Sequence, residues 1–544
     1  MDISNLPSHI LWTATQPLDS RKMACIASIS AAILSTYYAL QKCATGDLHG
    51  MFIYTIALAA TILVAAFTWY SRRKCRGLCP KLQPPGPRGI PLLGNLEFNK
   101  RGFYHTKAMD WVRQYGPLFR FKMLAVNVVV VNDYDLIRDT FSKPEILHRP
   151  AAWLLKETTE GLAVLGGREW RENRRFVTQA LVDLGYGKQT MWDRVQVEAQ
   201  HLVGTIDKFG GAPILPRDLL FRSACNNVVT FLLGRRLDLD DPRRRDMDEH
   251  LEGFLLGSAA SSIDCRPQWL KRLERWLCPR SPRVTVEDLA NELEAMSKRE
   301  VQRAMRMDVS QRNKAVIDIY NEKLEELGSG HDIFTEGRLV GNVTDYLLGA
   351  TAVVALFLQS HVLNFAAHPD TLQEQVRQEI DRVVGRDRLP TWADHVRMPL
   401  TMATIWEMYR WKACTPFGIP RGVAEDTVIG GYHVPKGTVL LPNFWAVHQS
   451  TKLWKEPEKF DPSRFIGPDG SAPSTRPAHI ITFSLGKRIC PGESLATAEV
   501  FLYLTMLLQK FRILPEEGTT LQIGSYQPLY EHAATKIRFL PRSD

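Results

Sequence analysis

The chain has 544 residues, 45% of them hydrophobic, with 68 Lys and Arg against 59 Asp and Glu for a formal net charge of +9. That apolar share is ample for a large core, and a chain of this length divides into several domains or runs as one large enzyme body. Nine cysteines with no CxxC pair and no regular spacing exclude a disulfide framework and suit a reducing compartment, and no nucleic-acid module is present.

Met51–Tyr70 carries no charge and is followed at once by Arg72, Arg73, Lys74 and Arg76. Its length spans a bilayer, and the basic flank places the downstream chain on the cytosolic side. Met23–Gln41 is a second uncharged stretch, richer in Ser and Ala, and reads as a second span or an interfacial helix. Neither has the small-residue cleavage site of a removed signal peptide. Residues 1–78 are therefore expected to be a membrane anchor, with a span at 51–70 and an alternative second one at 23–41. Residues 79–91, with proline at 80, 84, 85, 87 and 91, predict a stiff extended hinge leading into a catalytic body over 92–544.

Val128–Val131 predicts a strand of a small early sheet. From there to Arg382 helical patterns dominate. Trp170 and Arg174 lie four apart and so share a helix face, where an indole N–H and a guanidinium can address one anionic group. The same spacing also fits an ordinary amphipathic helix. Arg243-Arg244-Arg245 reads as solvated surface charge or a patch for an anionic partner. Around Ser261–Pro267 the helical pattern breaks, which suits a lid or a plain connector. Leu339–Ala367 has no proline, spans about 45 Å if helical, and stops at His368-Pro369. So long and apolar a helix is expected to run buried through the body, with Gly349-Ala350 allowing something flat to approach its backbone.

Glu407 and Arg410, three apart, are neighbours on one helix face. The same E-x-x-R spacing recurs at Glu172/Arg175, Glu300/Arg303, Glu374/Arg377 and Glu379/Arg382. Only the Glu407 pair precedes a proline-punctuated segment and Phe460-Asp461-Pro462-Ser463-Arg464-Phe465, where Arg464 can complete a three-member charge network. Between them, Val428–Val434 and Thr438–Leu441 predict two strands joined at Pro435-Lys436-Gly437, and Pro420-Arg421 offers a further cation. Tyr526–Leu529 predicts a final hairpin turn dipping toward a pocket.

The stretch Phe483-Ser484-Leu485-Gly486-Lys487-Arg488-Ile489-Cys490-Pro491-Gly492 reads F-x-x-G-x-R-x-C-x-G. A cysteine thiolate can be the single protein ligand of a haem iron, pushing electron density toward it. Gly486 and Gly492 permit backbone angles or approaches that a Cβ would block, so that backbone N–H groups reach the sulfur. Arg488 offers a fork of donors suited to a haem propionate. Phe483 is placed to cover the sulfur. Pro491 and Glu493, followed by an apolar run, open a helix.

Taken in order, the proline-rich hinge, Trp170/Arg174, the long helix, Glu407/Arg410, Arg464 and the cysteine loop resemble the cytochrome P450 family, from about Pro84 to the C-terminus, with a microsomal, fungal-like leader. The resemblance implies a mostly α body with a small β subdomain, preceded by one or two transmembrane helices. It implies haem b with Cys490 as its axial ligand and Arg488, Trp170, Arg174, Arg421, Phe483, Gly486 and Gly492 as further contacts. Dioxygen is the implied cosubstrate, and the implied electron source is NADPH through a flavin reductase, with cytochrome b5 as a second donor. Gly349, Ala350, Thr351, Val353, Thr415, Phe417 and Leu529 are candidates to line the pocket.

One departure stands out. The family's long helix carries small-Gly-x-acid-Thr, an acid–alcohol pair that helps deliver protons. Counted back from Pro369, Ala352 stands at the acid position and Val353 at the threonine position. The leading expectation is a membrane-bound haem-thiolate monooxygenase of a lipophilic small molecule in specialised metabolism, in the endoplasmic reticulum with its catalytic domain cytosolic. A haem-thiolate rearrangement, dehydration or ring-forming enzyme without net oxygen insertion is the first alternative. A non-catalytic haem-binding membrane paralogue is the second.

Overall fold

The computed structural model describes residues 82–90, 94–95, 104–124, 126–150, 159–241, 244–258, 286–308, 310, 312–328, 330–412, 414–525 and 534–542. The expected spans at 23–41 and 51–70, the first residues of the hinge, the Ser261–Pro267 loop, the Tyr526–Leu529 turn and the pocket candidate Leu529 lie outside them.

Helix α1 (Tyr104–Tyr115) leads into β1 (Leu118–Met123) and β2 (Val126–Val131), whose valine-rich run favours a pleated strand. These two pair antiparallel. The chain returns to the same sheet much later, when β6 (Val439–Pro442) joins β2 in parallel and β3 (Arg421–Gly422) closes the edge, giving the order β1-β2-β6-β3. After β2, Asp133 caps α2 (Tyr134–Ser142) by accepting from Leu136 N at 3.1 Å.

The helical body continues with α3 (Gly167–Asp183), α4 (Gln189–Asp207), α5 (Pro216–Leu233), α6 (Arg244–Ser258), α7 (Val286–Arg306) and α8 (Val316–Leu327). These helices pack around α9 (Glu336–Ala367), the predicted long helix, which starts three residues earlier than the sequence pattern indicated. Thr335 caps it by accepting from Arg338 N at 3.1 Å, and His368-Pro369 stops it. With a mean hydropathy of 1.7 over its most apolar window, α9 is greasy enough for a membrane. Two thirds of that window is buried by protein, so it is the core helix of the body.

Helices α10 (Leu372–Val383) and α11 (Pro399–Trp411) precede the second half of the sheet. The expected single strand Val428–Val434 is instead a hairpin, β4 (Thr427–Ile429) paired antiparallel with β5 (Tyr432–Val434). Gly430 and Gly431 at its tip both hold positive φ, +55° and +81°, the signature of a tight two-residue turn. The short helix α12 (Phe444–His448) comes after β6. Helix α13 (Glu493–Lys510) then leaves the cysteine loop, and β7 (Phe511–Pro515) pairs antiparallel with β8 (Ile537–Pro541). The result is mostly α with small sheets, as the sequence indicated.

Glu407 and Arg410 on α11 are both fully buried and meet in a fork, with Oε1 and Oε2 each 2.7 Å from a guanidinium nitrogen. Arg464 Nε reaches the same carboxylate at 3.2 Å, and Asp461 N donates to it at 2.8 Å. Arg410 also donates to the carbonyls of His448, Pro457 and Lys459. One buried ion pair thereby gathers the loop beneath the cysteine segment. The other E-x-x-R spacings differ in environment: Glu374–Arg377 pairs near the surface, buried Glu300 is shared between buried Arg235 and half-exposed Arg303, Arg382 stays 3.9 Å from Glu379, and Glu172 pairs with Arg168. Arg244 of the basic triplet is no surface charge; it is buried and donates to Arg222 O and Asn226 Oδ1. Removing one partner of a buried pair leaves the other charge uncompensated. Glu407→Ala is therefore expected to destabilise the body by about 3–5 kcal/mol in chemical denaturation, and a loss of less than about 1 kcal/mol, the range of an exposed pair, would contradict the network's role.

Candidate active site

The cysteine loop runs from buried Ile480 and Ile481 into α13. Cys490 N donates to Phe483 O at 2.8 Å, closing the loop on itself, and Gly492 N points at Cys490 Sγ from 3.4 Å. Gly486 is held at φ +71°, where a Cβ would sit 2.6 Å from Phe141 O, so glycine is required there. Gly492 has an ordinary φ of −88°, and a Cβ on it would lie 3.7 Å from the sulfur. Its contribution is thus its amide rather than its backbone freedom. The Cys490 residue is solvent-accessible, yet the protein crowded around it pushes the thiol up; the Gly492 N–H and Arg174 pull the other way. Phe483 is buried edge-on to Tyr409 at 5.2 Å, with Arg476 over its ring.

Above one side of this loop, guanidiniums gather. Arg488 is buried and donates to the carbonyls of Leu147, Leu162 and Leu165, its plane 4.1 Å over the Trp170 ring. Arg174, one turn along α3 from Trp170, donates to Ile489 O at 2.7 Å. Arg421 is buried over the Phe141 ring, with Nη2 3.3 Å from Ser484 Oγ and with Nε and Nη1 unpartnered. Arg149, which sequence reasoning missed, completes the group: it donates to Ala163 O and Pro420 O, both at 2.7 Å. Its single mark in the sequence is a position just before Pro150, which no spacing rule singles out.

Burial and mutual repulsion push Arg488 down to about 8 and Arg421 well below its ordinary value; burial, opposed by Asp345, pushes Arg149 down to about 9. Guanidiniums do not surrender their protons at physiological pH. A cluster of this kind is balanced by an anion, and the unpartnered Arg421 donors call for oxygen acceptors. Two carboxylates on a flat ring edge, with a thiolate donor beneath the ring, match that arrangement. The residues present therefore fit haem, with Arg149, Arg174, Arg421 and Arg488 for the propionates and Cys490 for the iron.

Between Gly341 and Ala366 of α9 the residues left partly uncovered are Asp345, Tyr346, Leu348, Gly349, Ala350, Val353 and Leu356, a stripe with helical spacing. A Cβ built on Gly349 meets nothing within 4 Å, so the helix leaves free space there, and Tyr346 brings the stripe within electrostatic reach of Cys490. Gly349, Ala350 and Val353 lie on this stripe. Thr351 does not: it is fully buried against the Cys225 thiol of α5, because two residues along a helix turn the side chain about 200° from Gly349. Phe417 packs instead against the sheet core around Trp111 and Phe119, while Thr415 is exposed. Asp345 anchors the loop that carries the arginine-binding carbonyls. Its Oδ2 accepts from Ala163 N at 2.6 Å, beside Asn342 Oδ1, which accepts from Leu162 N at 3.1 Å. Gly161 and Gly341 allow this loop and α9 to touch where a Cβ on either would clash.

Burial pushes the Asp345 carboxyl up to about 7. A carboxyl raised in the folded state contributes stability that is fully present below its unfolded value near 3.8 and is lost as pH rises through about 7. Denaturation midpoints measured at about pH 5 and about pH 8 should therefore fall more in the wild type than in Asp345→Asn. Equal falls would contradict the assignment. The sequence model of the family described as Cytochrome P450 matches residues 84–528. Cytochrome P450 2J3 of Rattus norvegicus is 30% identical over 500 residues, covering 88% of this chain and 95% of the relative. Cytochrome P450 2H1 of Gallus gallus is 30% identical over 480 residues, covering 85% and 92%. The chain therefore belongs to the cytochrome P450 family, oxidoreductases that use haem b, dioxygen and NADPH-derived electrons passed through a reductase.

Proposed function

We propose that this protein is a haem-thiolate monooxygenase of a lipophilic small molecule in specialised metabolism, with Cys490 as the axial ligand. In this reading residues 1–78 anchor it in the endoplasmic reticulum membrane, residues 79–91 form the hinge, and the catalytic body over 92–544 faces the cytosol. A membrane-bound flavin reductase supplies electrons, with cytochrome b5 as a second donor. The single observation that carries the reading is the placement of the Cys490 sulfur, addressed by Gly492 N, beside four converging guanidiniums and within reach of the open stripe of α9.

When bound, haem supplies the reductive activation of dioxygen and its transfer to substrate. The protein's part lies in its side chains. Gly492 N–H steadies the sulfur and tunes its donor strength. The arginines hold the propionates and so fix the ring plane. Leu348, Gly349, Ala350 and Val353 give an apolar wall that suits a lipophilic substrate. Neither Ala352 nor Val353 carries an exchangeable proton, and the Thr351 hydroxyl faces the core. Protons then arrive by ordered water or from the substrate itself. That same absence favours the second reading, a rearrangement, dehydration or ring closure without net oxygen insertion.

Turnover in labelled dioxygen discriminates between the two. One labelled oxygen in the product is expected, and product without label would sink the monooxygenase reading in favour of the alternative. Cys490→Ala should abolish the thiolate-type reduced carbon monoxide difference spectrum, and a spectrum that survives would remove Cys490 as the ligand. Placing Asp and Thr together at positions 352 and 353 should raise the fraction of NADPH electrons recovered in product. Unchanged coupling in a folded double variant would show that these positions do not limit proton delivery.

A further inference from the structure

Helix α3 ends in a Schellman turn: Tyr186 N donates to Leu181 O at 2.9 Å and Gly185 N to Val182 O at 3.0 Å. Gly185 supplies the left-handed residue that this turn requires, at φ +96°. The turn brings the half-buried Tyr186 ring to the cysteine loop, edge-on to Phe231 of α5 with centroids 6.1 Å apart. Its hydroxyl donates to Pro491 O at 2.8 Å. Burial pushes this phenol up to about 12, so it stays a donor at physiological pH. Pro491 C=O and Gly492 N–H are the two ends of one planar peptide unit, and Gly492 N points at Cys490 Sγ from 3.4 Å. Two hydrogen bonds joined through a single amide thus run from the phenol to the sulfur. Arg174 makes the matching contact on the other flank, donating to Ile489 O at 2.7 Å. The N–H of that peptide unit belongs to Cys490 and goes to Phe483 O at 2.8 Å. The Arg174 chain therefore ends on the loop's own backbone, and the Tyr186 chain ends on the sulfur.

We propose that Tyr186 is a positioning residue for the thiolate: its O–H polarises the 491–492 peptide, strengthens the Gly492 N–H bond to Cys490 Sγ, and so weakens the sulfur's donation to the iron. A donor on the carbonyl draws charge through the amide and leaves its N–H more positive. Hydrogen bonds chained in this way strengthen one another by about 10–30% each. Applied to a bond accepted by a charged sulfur, that is about a twofold to fourfold effect on the equilibrium between oxidised and reduced iron. The sign follows from the sulfur carrying more negative charge in the reduced state, so a stronger N–H bond favours reduction. Tyr186 touches no reacting atom and acts through the amide alone. The inference rests on Cys490 being the axial ligand.

The test is the one-electron reduction potential of purified holoprotein, read together with the iron–sulfur stretching band in the resonance Raman spectrum, in wild type, Tyr186→Phe and Thr482→Val. Tyr186→Phe removes the hydroxyl and keeps the ring against Phe231. Thr482→Val is the control: it deletes a hydroxyl on the same loop that donates to Tyr409 O at 2.7 Å and addresses neither peptide beside Cys490. Y186F should be about twofold to fourfold harder to reduce, a shift of about 20–35 mV to more negative potential at 59 mV per tenfold. Its iron–sulfur band should move to higher frequency. T482V should match the wild type in both. A ring-fluorinated tyrosine at position 186, a stronger donor that keeps every contact, should shift both readouts the opposite way. That protein decides alone if Y186F loses its thiolate-type spectrum. An unshifted potential and band in Y186F, or in the fluorinated protein, would overturn the proposal. So would an equal shift in T482V, which would make the Tyr186 bond a staple of the loop and no more. A wild type without the thiolate-type reduced carbon monoxide spectrum is a separate failure, that of Cys490 as ligand, and would remove the proposal with it.

Discussion

Positive charge held out of water is the constraint on which this structure turns. Arg149, Arg421 and Arg488 are buried and Arg174 is half-buried, and Arg149, Arg174 and Arg488 all oppose the charge on Arg421. Isolated buried charges are too costly to be tolerated without paired groups. Part of the cost is met by carbonyls: Leu147, Ala163, Leu165 and Pro420 accept from Arg149 or Arg488, and the amides of Leu162 and Ala163 in the same 159–166 segment are held by Asn342 and Asp345 of α9. Carbonyl dipoles do not neutralise net charge, and the two propionates of a bound haem would. Binding of the cofactor and organisation of the surrounding loops are on this account one event.

The remainder of the fold holds two surfaces that would flank that ring edge. Beneath it, the Glu407–Arg410–Arg464 network collects carbonyls from 448 to 459 and so supports the segment leading into the cysteine loop. Above it, α9 is clamped by Asn342 and Asp345 to the arginine-bearing side and leaves a groove at Gly349. Both surfaces rest on helices buried along most of their length, which gives the site a rigid frame. Chemistry at the sulfur and selectivity at the helix are thereby set by separate elements.

Legibility in the sequence depends on where physics leaves a local trace. The cysteine loop is legible because ligand, glycine and guanidinium must stand at fixed spacings along one turn. Helix α9 is legible because burial on nearly all sides leaves a long apolar run without proline. The β4–β5 hairpin reads as one strand although Gly430-Gly431 lies in plain view, because the flanking apolar alternation outweighs the turn residues. Thr351 reads as one of the pocket residues beside it, yet helical rotation carries it into the core. Arg149 leaves little trace beyond the proline that follows it, since its environment arises from contacts with segments far away in the chain. Phe417 turns to the sheet because its loop is pulled there, with Trp445 N donating to Pro416 O at 3.1 Å.

The central claim is that paired carboxylates balance the arginine cluster. Reconstitution of the apoprotein with haem and with haem dimethyl ester, whose propionates carry no charge, tests it most directly. The account predicts that haem binds at least about a hundredfold more tightly than the ester, with a thiolate-type spectrum for the haem complex. Equal affinity for the two would contradict it.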